Sequence, residues 1–222
     1  MVKRIVLTAA VVWLAAMPVF AQAPKAEIGI FAGWVFSDGV SGNNVLAGDG
    51  NVYNRIDPKD SFGWGFDVGF FVSPNAEVGF IYRDQPTKLE VSGTATRDIG
   101  DQSTHTYHGY FAYNWGHSDS MIRPYALFGL GATSYSDTSF TALNGTTRTI
   151  SGVSRFSTTI GVGAKVYGHG PVGGRFGLNW TPTYIKSDAT GYWCDPYWGC
   201  YLVGNAQYAN QFSLDGGVTI RF

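Results

Sequence analysis

Apolar and polar residues alternate with a period of two in eight separate stretches of this chain, and no helical period competes with them after residue 21. A period of two puts successive side chains on opposite faces of a strand, so each stretch reads as a strand with one apolar face. Residues 27–36 set Ile28, Ile30, Ala32, Trp34 and Phe36 against Glu27, Gly29, Phe31 and Gly33. Residues 62–72 repeat the pattern, with Phe62, Trp64, Phe66, Val68, Phe70 and Val72 opposite Gly63, Gly65, Asp67 and Gly69. The other stretches are 76–83, 106–115, 123–135, 155–167, 175–184 and 208–222. Short connections rich in turn residues (73–75, 116–121 and 168–172) alternate with long ones (37–61, 84–105, 136–154 and 185–207). With an even strand count, the short turns all fall at one end of the molecule and the long loops at the other.

Which face meets water follows from residue size. The apolar face is bulky and aromatic, whereas the other is mostly glycine and charge. Eight strands enclose an interior only just wide enough for side chains, so the glycine face suits the inside and the aromatic face suits lipid. The interior then holds four acids, Glu27, Asp67, Glu77 and Asp215, and six bases, Arg83, Arg123, Arg155, Lys165, Arg175 and Arg221. Burying any of these charges alone is costly, so they are expected to form a network that either plugs the lumen or lines an ion path. Composition excludes other classes. No apolar run of about 18 residues follows residue 21, which rules out a helical membrane bundle. A net charge of −1 gives no case for nucleic acid.

Residues 1–21 have the layout of a secretory signal: Lys3 and Arg4, an apolar stretch over 5–17, then Val19-Phe20-Ala21. Cleavage after Ala21 leaves one domain, residues 22–222. Cys194 and Cys200 are the only cysteines, and an even pair in an exported chain reads as a disulfide. Closing so small a loop stabilises by roughly 2 kcal/mol at most. It would hold Tyr192, Trp193, Tyr197 and Trp198 together, as a contact cluster or simply as a stiffened loop. Two thiols without a local histidine argue against a metal site, and no cofactor motif is present.

The chain ends on an alternating strand, with Val218, Ile220 and Phe222 on its apolar face. This ending looks like the signal read by the outer-membrane assembly machinery. Tyr110–Trp115, Ser118-Asp119-Ser120 and Arg123–Ala132 resemble the central hairpin of a known family. That family is the small outer-membrane β-barrels typified by the transmembrane domain of outer-membrane protein A and by outer-membrane protein X. The resemblance implies an all-β, eight-stranded antiparallel up-and-down transmembrane barrel, with short periplasmic turns and long extracellular loops. It implies a monomer in the bacterial outer membrane, in contact with lipid and lipopolysaccharide. The sequence stops at the barrel, so the anchoring role of outer-membrane protein A's periplasmic domain is not expected.

Some small barrels modify lipid A with Ser, His and an acid near the outer rim. The nearest set here is Asp101, Ser103, His105 and His108. Strand parity places His105 and His108 on opposite faces, with Ser103 on the side of His105. The expected function is therefore non-enzymatic: structural and surface interaction through the long loops. A narrow ion or solute channel is the alternative, and a lipid-modifying enzyme the third reading.

Overall fold

A computed structural model describes residues 25–46, 50–141, 147–185, 194–195, 199–200 and 208–222. Every element among them is a strand: β1 (Ala26–Ser37), β2 (Val40–Leu46), β3 (Val52–Pro58), β4 (Ser61–Phe71), β5 (Ala76–Gly93), β6 (Thr96–Asn114), β7 (Ile122–Tyr135), β8 (Thr138–Thr141), β9 (Thr147–Ile150), β10 (Val153–Tyr167), β11 (Val172–Tyr184), β12 (Cys194–Asp195), β13 (Gly199–Cys200) and β14 (Tyr208–Arg221). Strands β1, β4, β5, β6, β7, β10, β11 and β14 follow one another round a ring, each antiparallel to its neighbours. The ring closes where β14 pairs with β1, from Glu27–Arg221 to Ser37–Gln211. The last residue completes the seam: Phe222 N donates to Ala26 O at 2.8 Å, and Phe222 O accepts from Lys25 N at 2.6 Å. Closure leaves no strand edge in the ring to be satisfied by water, which is what a spanning sheet requires.

The two faces fall as the alternation dictates. Trp34, Trp64, Phe70, Phe128, Phe176 and Leu214 are all exposed on the outside, as are Val218, Ile220 and Phe222 near the C-terminus. Along β4 the apolar row runs from Phe62 to Val72. Ten residue steps of about 3.3 Å, tilted about 40°, come to about 25 Å, the height of a lipid-facing band. One interruption lies in this wall. The β10–β11 register passes from Ser157–Thr183 to Ile160–Trp180 without the pairs between, where Pro182 has no N–H to give.

Among the described residues, the long connections 37–61, 84–105 and 136–154 are largely strand rather than loop. β5 and β6 continue past the belt to a turn at Thr94-Ala95, with Asp84 opposite His105 and Ser92 opposite Thr96. β2 and β3 form a second hairpin that leans on this extension through β3–β5 pairing, and β8–β9 form a third. The expected end of the third stretch at Arg83 reflects a change of face. Beyond the belt the outward residues of β5 are Asp84, Pro86, Lys88 and Glu90, while the buried ones are Gln85, Leu89 and Val91. The apolar face thus passes from lipid to interior, although the period of two never stops. Lys59 fastens this upper layer, its Nζ lying 3.0 Å from Asp98 Oδ1 and 3.4 Å from Glu90 Oε2. The hydrogen bond from Lys59 holds the Asp98 carboxyl below its ordinary range.

Inside, the glycines make room for large rings. Phe31, Tyr110 and Tyr125 are buried in one cluster with Ile81, Ala112 and Leu127. A Cβ at Gly65 would lie 2.6 Å from Phe31 Cζ and 2.2 Å from the Tyr82 carbonyl oxygen. At Gly163 and at Gly177 it would lie 2.6 Å from Tyr125 Oη. The Gly65→Ala variant is therefore expected to lose about 1–3 kcal/mol through overpacking. Urea unfolding of the refolded barrel, followed by its heat-modifiable gel mobility, reads this as an earlier midpoint; an unchanged midpoint contradicts the packing.

Candidate functional site

The lumen is built in layers, and the short-turn half holds the charges. Lys165 on β10 reaches two acids at once, its Nζ standing 2.6 Å from Glu27 Oε1 and 2.8 Å from Glu77 Oε2. Glu77 also accepts from Tyr110 Oη at 2.5 Å and Asn114 Nδ2 at 3.1 Å, and Tyr167 Oη donates to Glu27. One step up, Arg175 on β11 pairs with Asp67 on β4. Above that, Arg83 on β5 grips Asp215 on β14 with both arms, Nη1–Oδ1 at 2.8 Å and Nη2–Oδ2 at 2.6 Å. Asn179 Nδ2 and Ser213 Oγ complete the Asp215 shell at 2.7 and 3.0 Å. Each pair spans strands distant round the ring, so the network ties opposite walls together.

Aromatic rings fill the gaps between charges. The Phe31 ring is flanked by two guanidinium groups, Arg83 at 5.0 Å and Arg175 at 5.1 Å from its centroid. Lys165 lies 5.6 Å from the Tyr125 ring and 5.8 Å from that of Phe71. Cations desolvated against aromatic faces gain from the ring quadrupole as well as from their carboxylates. Glu27, Asp67 and Glu77 bring one oxygen each within 4.8 Å of one another, a grouping that could hold a cation. Lys165 already places its ammonium on two of the three.

The remaining bases of the expected network act elsewhere. Arg123 is buried, and its Nη2 donates to Pro74 O at 2.6 Å, which fastens the 73–75 turn. Arg221 Nη1 donates to Ser118 O at 2.8 Å and stacks 4.0 Å from the Tyr167 ring centroid, fastening the next turn. Arg155 lies at the opposite end, in the wall of a cavity at the outer mouth.

A layer of hydroxyls and amides covers the charged half. His108 Nε2 and Ser157 Oγ are 2.7 Å apart, and Thr133 Oγ1 donates to Ser157 Oγ at 2.9 Å. Across the lumen Gln211 Nε2 donates to Gln85 Oε1 at 2.7 Å, and Gln85 Nε2 to Ser37 Oγ at 3.1 Å. At the outer end the lining turns apolar, in a cluster of Val40, Tyr53, Ile56, Leu89, Val91 and Ala209.

The rim constellation separates as parity requires. His105 faces outward, its Nδ1 lying 3.1 Å from Tyr82 Oη and 3.2 Å from Asp84 Oδ1, with its ring stacked on Tyr82. The Ser103 amide donates to Ser136 Oγ. The His108–Ser157 pair escaped sequence reasoning because it joins β6 to β10, strands that do not pair. Cys194 and Cys200 occupy directly opposed positions of the β12–β13 ladder. Tyr192, Trp193, Tyr197 and Trp198 lie outside the described residues.

No protein-family model and no curated protein matches the chain. Solved structures do. The outer membrane protein OprG from Pseudomonas aeruginosa aligns at 12% identity over 90% of this chain and 98% of its own, with a TM-score of 0.59. This is the fold of the small outer-membrane β-barrels. The outer membrane protein AlkL, solved in lipid bilayers, shares it at 14% identity over 93% of this chain and 94% of its own, TM-score 0.55. So does Neisserial surface protein A, at 11% identity over 89% and 97%, TM-score 0.51. At these identities the likeness is one of architecture.

Within this barrel, Lys165 is the charge whose loss is felt most, because it answers two buried acids. Lys165→Met is expected to destabilise by about 3–5 kcal/mol, the cost of leaving buried charge uncompensated. The triple variant with Glu27→Gln and Glu77→Gln should recover most of that loss. Urea unfolding in lipid vesicles checks both; equal stability of wild type and Lys165→Met contradicts the network.

Proposed function

We propose that this protein is exported through a signal cleaved after Ala21 and resides in the bacterial outer membrane. There it works as a closed, non-enzymatic scaffold whose outer rim meets its partners. The observation that carries this reading is the set of buried ion pairs that span the lumen, Arg83–Asp215, Arg175–Asp67 and Lys165 with Glu27 and Glu77, with the Val40–Leu89 cluster packed above them. An interior tied wall to wall supports rigidity rather than transit. The hairpins β2–β3, β5–β6 and β8–β9 support the second half of the reading, since they stand beyond the lipid belt as a structured platform. A disulfide between Cys194 and Cys200 adds to that platform. The opposed positions suit it, because Cα atoms facing across an antiparallel ladder lie within disulfide reach. The partners of this platform are the lipopolysaccharide of the outer leaflet and a ligand at the cell surface.

Single-channel recording of the refolded barrel in a planar bilayer tests the closed scaffold. The wild type should give no steady openings, whereas an Arg83→Ala, Asp215→Ala double variant, which removes the upper brace without stranding a charge, should flicker. Reproducible wild-type conductance steps would favour the channel reading and overturn this one.

A further inference from the structure

The register break between β10 and β11 shapes the lipid-facing wall. Over it lies an open furrow of about 620 Å³, whose floor is formed by the half-buried Thr158, Pro182 and Asn210. Pro182 stands opposite Asn210 in the β11–β14 ladder, so the floor crosses three strands at one level. Tyr184 and Tyr208 flank it on the hairpin side, and Ile160 and Trp180 on the side of the belt. Sites that hold one small molecule measure about 300–1,000 Å³, a range that includes this furrow. On the lumen side Thr159 Oγ1 and Thr181 Oγ1 meet at 3.1 Å, so side chains bridge the break there and the furrow faces outward. Pro182 lies ten residues above Val172, about 25 Å up the tilted wall, which is the outer edge of the apolar band. The break itself has a polarity. The register calls for a Thr158–Pro182 pair that is missing, and what a proline withholds is a donor. The β10 backbone opposite is left with a surplus acceptor, which is costly in a wall surrounded by hydrocarbon. The Asn210 amide does not answer it with its oxygen, which accepts from Trp180 Nε1 at 3.0 Å and so fixes the lower flank.

We propose that this furrow seats one acyl chain of an outer-leaflet lipid that carries a hydroxyl near its linkage. The chain lies over Ile160 and Trp180, and its hydroxyl donates to the backbone acceptor that Pro182 leaves at Thr158. The occupant follows from continuity with the belt: Ile160, Trp180 and Phe212 are exposed on the lipid-facing side, so lipid is what lies against the furrow. The level of the floor, at the outer edge of the band, matches the position of a hydroxyl close to a headgroup. The source of the lipid rests on the outer-membrane reading, whereas the seat itself is independent of whether the lumen is closed. Preference for a hydroxylated chain over a plain one comes from the one hydrogen bond.

Methyl β-hydroxymyristate and methyl myristate, titrated into labelled barrel in phosphatidylcholine nanodiscs, test the seat. The hydroxy ester should give saturable NMR shifts at the Ile160 methyl and the Trp180 indole N–H, with an affinity about fivefold above that of the plain ester, the worth of one neutral hydrogen bond. The Ile30 methyl, outward on β1, should respond only in proportion to total ester. Pro182→Ala returns the missing N–H without adding bulk and should bring the two esters level. Thr158→Trp, which fills the floor, should abolish the saturable shift at Ile160 from both. Equal affinity of the two esters for the wild type would overturn the proposal, as would a hydroxyl preference that survives Pro182→Ala. Ile160 shifts that track those of Ile30 would mean partition into the belt and no seat. Barrels that pair through this face, seen as dimers by light scattering and lost in Thr158→Trp, would assign the furrow to a second copy and overturn it too. Cell fractionation that places the protein outside the outer membrane would refute the location while leaving the ester preference as measured.

Discussion

Everything in this barrel answers to one constraint: a charge carried into an eight-stranded lumen has nowhere to go except to its opposite. Arg83, Lys165 and Arg175 come from three different strands, and the acids they meet come from four. Removing such charges from water costs several kcal/mol each, and the cost is offset only when partners and hydrogen-bond donors are already in place. The close approach of Tyr110, Asn114, Asn179 and Ser213 to those acids is therefore part of the same requirement. So are the glycines at 65, 163 and 177, which let Phe31 and Tyr125 fill the space that unpaired water would otherwise claim.

The layers above follow from the same logic with weaker forces. Where the charges end, hydroxyls and amides reach one another across the lumen, and where those end, the lining turns apolar. Chemistry therefore changes along the axis from ionic to polar to apolar, while the outer surface changes the opposite way, from aromatic belt to charged hairpin. Strand β5 passes through both gradients. Its outward row runs from Val78 and Phe80 to Lys88 and Glu90 as its inward row runs from Glu77 and Arg83 to Leu89 and Val91.

Most of the barrel was legible in the alternation alone, because lipid outside and a narrow interior sort residues by size and polarity. The faces of β1, β4, β10 and β14 could be assigned residue by residue. Three things could not. The extension of β5 and β6 was hidden by the exchange of faces at Asp84, although Leu89 and Val91 stay in phase with Ile81 and the signal was there to follow. Phe31 and Tyr125 sit singly among glycines, and their role as ring spacers needs the width of the lumen to be known. The partners of Lys165, Arg123 and Arg221 depend on register and on which turn lies beneath each base. Two of these bases hold carbonyl oxygens rather than the acids expected of them. His108 and Ser157 meet across β7, the strand that both of theirs pair with, on the concave face of the sheet.

The central claim is that opposite walls are coupled through buried ion pairs, and a double-mutant cycle between Asp67 on β4 and Arg175 on β11 measures it directly. Asp67→Asn, Arg175→Met and the double variant would be unfolded in urea from the same lipid vesicles. A coupling energy of about 2 kcal/mol or more is expected for a desolvated pair acting as a unit. Single-variant losses that simply add would mean that the walls are held by the ladder alone and that the charges merely occupy the lumen.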